Sequence, residues 1–144
     1  MDHIVEIKER KSKLVDTLIY TIETTKDKKI LKDSILLLID NFKDDRIIPL
    51  LKKLIESPEM VGYNAFLVYA LGSYIEYSID FMFFVDLIIS EDYHVAFNAY
   101  NIIANYFNDI DNELIEQIVI KLKLNYSTQV EKKEFFDNML NFFD

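Results

Sequence analysis

Four polar side chains recur at helical spacing in the second half of the sequence: His94, Asn98, Asn101 and Asn105. Steps of four, three and four residues place them on one face of a single helix, and we call them the polar stripe. Asn64 occupies the matching position in a similar stretch earlier in the chain. Amide side chains donate and accept hydrogen bonds, so two roles are open. The amides either satisfy polar groups between packed helices or line a groove that binds another molecule.

Tyrosines flank the polar stripe in the sequence. A tyrosine side chain combines a large contact area with a polar hydroxyl, and tyrosine is enriched at protein interfaces. Tyrosines also lie in cores with the hydroxyl hydrogen-bonded, so the set favours binding although no single member does. The candidate residues around the groove are Tyr63, Tyr69, Tyr74, Tyr77, Tyr93 and Tyr100.

Acidic residues concentrate in the same region. Residues 54–120 contain 11 Asp and Glu with no Lys or Arg, whereas residues 1–53 contain 12 Lys and Arg against 10 Asp and Glu. Residues 121–144 contain four of each sign, so the middle segment carries the excess behind the net charge of −9. Such a surface repels nucleic acid and anionic membranes, and it attracts a basic protein. The acidic candidates for partner binding are Glu76, Asp80, Asp86, Glu91 and Asp92.

Catalytic and metal-binding chemistry has few candidate residues. The chain has two His, two Gly and no Cys, and none of the glycine-containing patterns of nucleophile or phosphate-binding loops is present. Asp109, Asp111 and Glu113 come closest to a calcium loop, but the glycine and the closing glutamate are missing. We interpret these three acids as a helix-capping loop. We therefore expect no catalytic residue, no metal site, no cofactor and no small-molecule substrate.

The sequence also bears on the compartment. The absence of cysteine fits a reducing environment, and the first residues carry charges where a signal peptide needs an apolar core. The longest dense apolar run, 81–89, is interrupted by Asp86 and is far shorter than the ~20 residues that span a bilayer. We expect a cytoplasmic protein without membrane contact.

The elements that position these residues are predicted to be helices. With 51% apolar residues but only two Gly and two Pro, the chain has a core yet too few turn residues for an all-β fold. Breaks of about two to five residues separate the helices and turn each one back along its predecessor, which predicts four antiparallel pairs. The eight predicted helices are 2–24, 30–42, about 45–57, 61–74, 79–90, 92–107, 113–124 and 128–143.

Several helix starts have recognisable caps. Asp27, one of Asp44 and Asp45, and one of Asp111 and Asn112 are predicted N-caps. Residues 79–90 have a β-branched and aromatic content that permits a strand, but their place in an internal repeat favours a helix.

The internal repeat has a period of 34 residues. The stretch from Val61 to Tyr74 returns in a looser form from Val95 to Phe107, and the gap-free alignment matches identical residues at 61/95, 64/98, 65/99 and 70/104. A repeat of this length predicts stacked helical pairs, with divergent pairs capping the ends.

The order of Asp45, Pro49, paired leucines, 57–59 (Ser-Pro-Glu) and 70–72 (Ala-Leu-Gly) resembles the HEAT-repeat family over roughly residues 44–107. Two features depart from it: Asn64 and Asn98 replace a basic residue, and the second copy lacks Ala-Leu-Gly. The period also suits a tetratricopeptide array, but the spaced residues typical of that family are missing. The HEAT resemblance implies an all-α single domain over residues 1–144, with antiparallel helical hairpins stacked as a short α-solenoid.

A narrower similarity concerns residues 66–74 (FLVYALGSY) and the acidic, aromatic run 78–90. These residues resemble small bacterial HEAT-like immunity proteins of polymorphic or contact-dependent toxin systems. The resemblance implies a non-enzymatic protein that binds and neutralises a cognate basic toxin, such as a nuclease. The alternative is a general HEAT-like scaffold or adaptor for peptides or proteins. A HEAT-like DNA-repair enzyme needs a basic groove, which the acidic middle segment opposes.

Overall fold

The computed structural model describes residues 2–74 and 80–144. Every regular element in these two ranges is helical, with eight α-helices and three short 3-10 helices, which confirms the prediction of an all-α chain with about eight helices. None of these helices combines the length and apolar character needed to cross a membrane. Their stacking as a solenoid stays a prediction.

The chain divides into two compact units, Met1–Val61 and Gly62–Asp144. The single domain over residues 1–144 stays a prediction. Glu76 and Tyr77, two of the predicted partner-binding residues, lie outside the described residues.

The first unit is built on three helices, α1 (His3–Thr24), α2 (Lys28–Asn41) and α3 (Ile47–Ile55), followed by a short 3-10 helix at Pro58–Met60. Helix α1 packs against both α2 and α3. The core forms where their apolar faces meet, because burial removes these side chains from water. Its most buried side chains are Ile35, Leu38, Ile47, Leu51 and Ile55.

Asp27 caps α2 as predicted, since its carboxylate accepts hydrogen bonds from the main-chain N–H groups of Lys29 and Ile30. The predicted cap of α3 by Asp44 or Asp45 is wrong. Helix α3 has Arg46 at its N-cap, without a side-chain cap. The Asp44 carboxylate instead accepts from the main-chain N–H of Arg46 and is held by the Arg46 guanidinium at 2.9 Å.

The described residues of the second unit, 62–74 and 80–144, form five α-helices with α6 at the centre. The two residues Glu91 and Asp92 join α5 to α6, and these two helices pack along each other. Helix α6 also packs against α4 and α8, while α7 packs against α5 and α8. The helices are α4 (Asn64–Gly72), α5 (Phe81–Ser90), α6 (Tyr93–Tyr106), α7 (Asn112–Asn125) and α8 (Lys133–Phe142), with short 3-10 helices at Phe107–Asp109 and Tyr126–Thr128.

The 34-residue period is visible in the helix boundaries. Helices α3 and α5 begin 34 residues apart, at Ile47 and Phe81. Helices α4 and α6 end 34 residues apart, at Gly72 and Tyr106.

The period fails at the start of α4, where the predicted equivalence of Val61 and Val95 is wrong. Val61 is 74% exposed and lies outside the helix, whereas Val95 is buried within α6. The cause is local, because Gly62 adopts a φ of +92°, a conformation that glycine tolerates and other residues rarely adopt. Helix α4 therefore begins only at Asn64.

Aspartates open three helices of the second unit. The carboxylates of Asp80, Asp92 and Asp111 each accept a hydrogen bond from a main-chain N–H in the first turn of α5, α6 and α7. The helix predicted over 79–90 is confirmed over Phe81–Ser90, its first predicted residue lying outside the described residues, and the cap predicted at Asp111 is confirmed. The predicted start of the last helix at Thr128 is wrong, since α8 begins at Lys133. The Thr128 hydroxyl donates backwards to the Asn125 carbonyl and ends a 3-10 helix.

Candidate functional site

The three asparagines of the polar stripe lie where α6 meets α4, and Asn98 links the two helices. Its side-chain Nδ2 donates a hydrogen bond of 2.7 Å to the main-chain oxygen of Ala65. Asn98 is partly buried, and at this depth a satisfied amide helps to fix the packing of the two helices. Of the two roles open for the stripe, Asn98 has the structural one.

Asn101 and Asn105 continue the stripe on the open side of the contact between α4 and α6. Together with Asn98 they line a cavity of about 390 Å³, which we call the amide groove. Tyr69 borders the groove and is 60% exposed. The other lining residues are Gly72, Ser73, Ile102 and Tyr106. The structure therefore brings together four of the predicted residues, Tyr69 and the three asparagines of the stripe.

Gly72 allows α4 to lie close to the Ile102 side chain of α6. A Cβ atom at this position would lie 2.8 Å from Cδ1 and 3.0 Å from Cγ1 of Ile102. Real Cβ contacts are longer, so any other residue requires Ile102 to move. The bare helix backbone at Gly72 thus leaves room for the Ile102 side chain.

Two predicted partner-binding residues lie in the core of their unit. Tyr74 has no exposed surface and Asn64 is 7% exposed. Tyr74 follows the end of α4, where burial of its ring contributes packing area, and Asn64 is the first residue of α4. The prediction that these two side chains face a partner is wrong, because neither is accessible at the surface.

His94 and Tyr93 belong to a different surface. His94 is exposed and does not line the amide groove, and its ring lies edge-to-face with Tyr93 at 6.0 Å. Tyr93 packs on Phe135 of α8, with ring centroids 5.2 Å apart. Phe97 and Tyr106 were missed by the sequence reasoning. Phe97 lies one helical turn after Tyr93, so the spacing of these two residues could have indicated that Phe97 lies on the same surface.

The acidic candidates have local structural roles. Asp80 and Asp92 are the N-caps of α5 and α6, which suits their negative charge because a helix N-terminus carries a partial positive charge. Asp86 forms an exposed ion pair with Lys121, so the charge of this segment is partly balanced by a lysine just beyond it. The main-chain oxygen of Glu91 accepts a hydrogen bond of 2.7 Å from Nζ of Lys132.

The excess of negative over positive charge is nonetheless confined to one unit. Gly62–Asp144 contains 13 Asp and Glu against four Lys, whereas Met1–Val61 contains 12 acidic and 12 basic residues. The net charge of −9 therefore belongs to the unit that contains the amide groove. A basic partner would be drawn towards this unit.

A larger cavity, of about 550 Å³, lies in the first unit and contains none of the predicted residues. Two lysines and two glutamates line it, Lys26, Lys53, Glu23 and Glu59, so it favours neither sign of charge. Among the residues that the structure describes, no three His, Asp or Glu side chains form a group that could hold a metal ion.

A scan against models of protein families, a search of curated proteins and a search of solved structures each gave no match. The resemblances to HEAT-repeat proteins and to immunity proteins remain predictions from the sequence. The amide groove and the distribution of charge are the features of this chain that bear on function.

Proposed function

We propose that this protein is a non-enzymatic, cytoplasmic protein-binding module whose amide groove takes an extended segment of one basic partner. The observation that carries the proposal is an open groove lined by Asn101 and Asn105 together with the tyrosines Tyr69 and Tyr106. An extended polypeptide presents N–H and C=O groups, and a carboxamide can accept from the first and donate to the second.

The spacing of the two amides fits a polypeptide main chain. Four residues of α-helix advance by about 6 Å, so Asn101 and Asn105 are separated by about that distance along α6. Two residues of an extended strand advance by about 6.5–7 Å. The two amides can therefore meet equivalent main-chain groups two residues apart, and the exposed Tyr69 ring supplies contact area beside them.

The net negative charge of the second unit indicates that the partner is basic. Hydrogen bonds to a main chain form with any amino-acid sequence, so they do not select a partner. The net charge of the unit that contains the groove does select a partner, by the sign of the partner's charge. Because this unit carries the full −9, a segment rich in Lys or Arg is steered towards it and an acidic one is repelled.

The most specific form of the proposal is an immunity protein that binds and neutralises a cognate basic toxin, such as a nuclease. Lys and Arg residues that hold phosphate in such a toxin would pair with carboxylates of Gly62–Asp144. The similarity of residues 66–74 to immunity proteins supports this form. A general scaffold or adaptor remains the second candidate, and it would bind several partners weakly at the same groove.

Photo-cross-linking tests the proposal. Benzoylphenylalanine is placed at Asn105, in the groove, or at Lys123, an exposed residue of α7 that serves as control. In cells of the source organism we expect one basic protein cross-linked from position 105 and none from position 123. Capture of several proteins at position 105 would favour the scaffold. Equal capture at both positions would rule out the groove, and capture of acidic proteins only would rule out a basic partner.

The immunity form has its own test. Expression of the captured protein alone should arrest growth, and co-expression with this chain should restore it. Normal growth of cells that express the captured protein alone would exclude a toxin partner while leaving the binding module intact.

A further inference from the structure

Two aromatic rings of α6 are exposed next to each other. Tyr93 and Phe97 are each 44% exposed, and their rings lie 6.3 Å apart within 17° of parallel. Both rings also contact buried Phe135 of α8, at 5.2 Å and 6.2 Å. We call Tyr93 and Phe97 the aromatic face. The packing on Phe135 fixes the orientation of both rings while part of their surface remains open to solvent.

Two acidic residues, Glu91 and Asp92, lie at the start of α6 and directly precede Tyr93 in the chain. Nζ of Lys132 donates hydrogen bonds to the main-chain oxygens of Ile89 and Glu91, at 2.9 Å and 2.7 Å. Burial lowers the pKa of Lys132, and the carboxylates of Glu91, Asp92 and Glu131 oppose that shift. The Asp92 carboxylate caps α6. The two residues next to Tyr93 at the start of α6 therefore carry negative charge.

We propose that the aromatic face is an arginine-binding site, at which guanidinium groups of a basic protein stack on Tyr93 and Phe97 and pair with the neighbouring carboxylates. A guanidinium is planar and weakly hydrated, so it stacks on aromatic rings and forms paired hydrogen bonds with a carboxylate. The compact ammonium of lysine is strongly hydrated and does neither as well. The site therefore distinguishes arginine from lysine, which net charge alone cannot do.

The same surroundings disfavour other occupants of the face. A purely apolar partner would desolvate the carboxylates of Glu91 and Asp92 without pairing them. A second copy of this chain would bring the same carboxylates against each other. The inference rests on the proposed function for the identity of the partner, but the arginine preference can be measured without that partner.

Short peptides test the inference with the full chain. Acetylated, amidated tetra-arginine, tetra-lysine and tetra-citrulline are titrated separately, and dissociation constants are measured by NMR. We expect tetra-arginine to bind at least about threefold more tightly than tetra-lysine, given typical cation–π energies at exposed sites. Tetra-citrulline, which keeps the planar shape but lacks the charge, should not bind. Equal affinity for the arginine and lysine peptides would refute the inference, as would binding of tetra-citrulline.

Variants test whether the preference for arginine depends on the aromatic face. Tyr93→Leu/Phe97→Leu keeps apolar volume over Phe135 but removes the aromatic rings, and it should reduce arginine binding to the level of lysine. Glu91→Gln/Asp92→Asn removes two charges while an asparagine at position 92 can still cap α6, and it should weaken both peptides and narrow the difference between them. The matched control is Ile120→Ala/Leu124→Ala, an exposed apolar pair on α7, which should leave the preference unchanged.

The outcomes separate this inference from the proposed function. Cross-linking from position 105 reports on the amide groove, whereas the arginine preference reports on the aromatic face. If the control pair on α7 lowers the preference as much as the leucine variant, the aromatic face is not the site. If the leucine variant keeps the full preference, the inference fails even when a basic partner is captured at the groove.

Discussion

Asn98 and Ala65 are joined across two helices, because the Asn98 side chain donates a hydrogen bond of 2.7 Å to the Ala65 carbonyl. This bond divides the polar stripe of α6. Asn98 is used within the protein, while Asn101 and Asn105 line the open part of the amide groove. Side chains with the same chemistry and helical spacing thus serve packing at one position and remain available for binding at the next two.

The division of the stripe predicts unequal effects on stability. Asn98→Ala should lower the free energy of unfolding by about 1 kcal/mol, the usual net contribution of an intramolecular hydrogen bond. Asn105→Ala, at an exposed position, should change it by less than about 0.5 kcal/mol. Urea denaturation measures both. Equal destabilisation by the two variants would contradict the structural role of Asn98.

Partner binding should depend on the other two asparagines. Asn101→Ala/Asn105→Ala removes two hydrogen-bonding groups from the groove, each of which contributes about 1 kcal/mol, so affinity for the cross-linked partner should fall about 30-fold. Asn108→Ala changes an exposed asparagine outside the groove and is the control. Calorimetry with the purified partner measures the dissociation constants. An unchanged affinity of the double variant would remove the amides from the binding site.

Gly72 and Ile102 both line the groove and lie close together. Gly72→Ala gains about 1 kcal/mol of helix propensity, but the new Cβ forces the Ile102 side chain, 2.8 Å away at Cδ1, to rotate. We expect little net change in stability and weaker partner binding, because Ile102 lines the groove. Adding Ile102→Val removes the nearest atom and should recover part of the affinity. If Gly72→Ala binds like the unmodified chain, groove width does not limit binding.

Charge and helix capping can be separated by amide substitutions. Replacing Asp80 and Asp92 by Lys would remove two N-caps together with the charge, whereas Asn caps helices nearly as well as Asp. The informative variant is Asp80→Asn/Asp86→Asn/Glu91→Gln/Asp92→Asn. It should slow association with the basic partner about tenfold at low salt and reduce the dependence of the association rate on salt.

The matched control neutralises four exposed acids in the other unit: Glu9→Gln, Asp33→Asn, Asp40→Asn and Glu56→Gln. Stopped-flow measurements over a range of salt concentrations compare the two variants. A similar loss of association rate in both would show that overall charge, and not the unit that contains the groove, attracts the partner.

Arg46 links two carboxylates of the first unit and predicts a dependence on pH. Its guanidinium lies 2.8 Å from Asp16 and 2.9 Å from Asp44. The hydrogen bond from Arg46 holds the pKa of Asp44 below its ordinary value. The contribution of this pair to stability is therefore present above the ordinary carboxyl pKa, and it is lost as the pH falls through the lowered pKa of the folded state.

Accordingly, Arg46→Gln should be less stable than the unmodified chain at pH 7, with the difference shrinking towards pH 2. Urea denaturation at a series of pH values measures it. Lys43→Gln, at an exposed position nearby, should show a smaller difference at pH 7. A difference for Arg46→Gln that stays constant from pH 7 to pH 2 would exclude the ion pairs as its cause.

Sequence periodicity predicted most of the helices because the apolar positions and the aspartate caps are local signals. It missed the start of α4, where Gly62 takes a positive φ, and the start of α8, where a 3-10 helix intervenes. The helical spacing of Asn98, Asn101 and Asn105 was sufficient to predict three of the eight residues that line the groove. The burial of Tyr74 was not predictable, because it depends on tertiary packing. Lys121 pairs with Asp86, 35 residues earlier in the sequence. A count of charges along the sequence cannot predict this ion pair, because it depends on how the helices pack.

Aspartate caps on three helices of the second unit have an evolutionary consequence. One nucleotide change converts an aspartate codon into an asparagine codon, and asparagine preserves the cap. Descendants of this chain can therefore lose up to three negative charges through substitutions that the fold tolerates. Natural selection can then adjust the charge of this unit to match changes in the charge of a partner, while the helix boundaries stay the same.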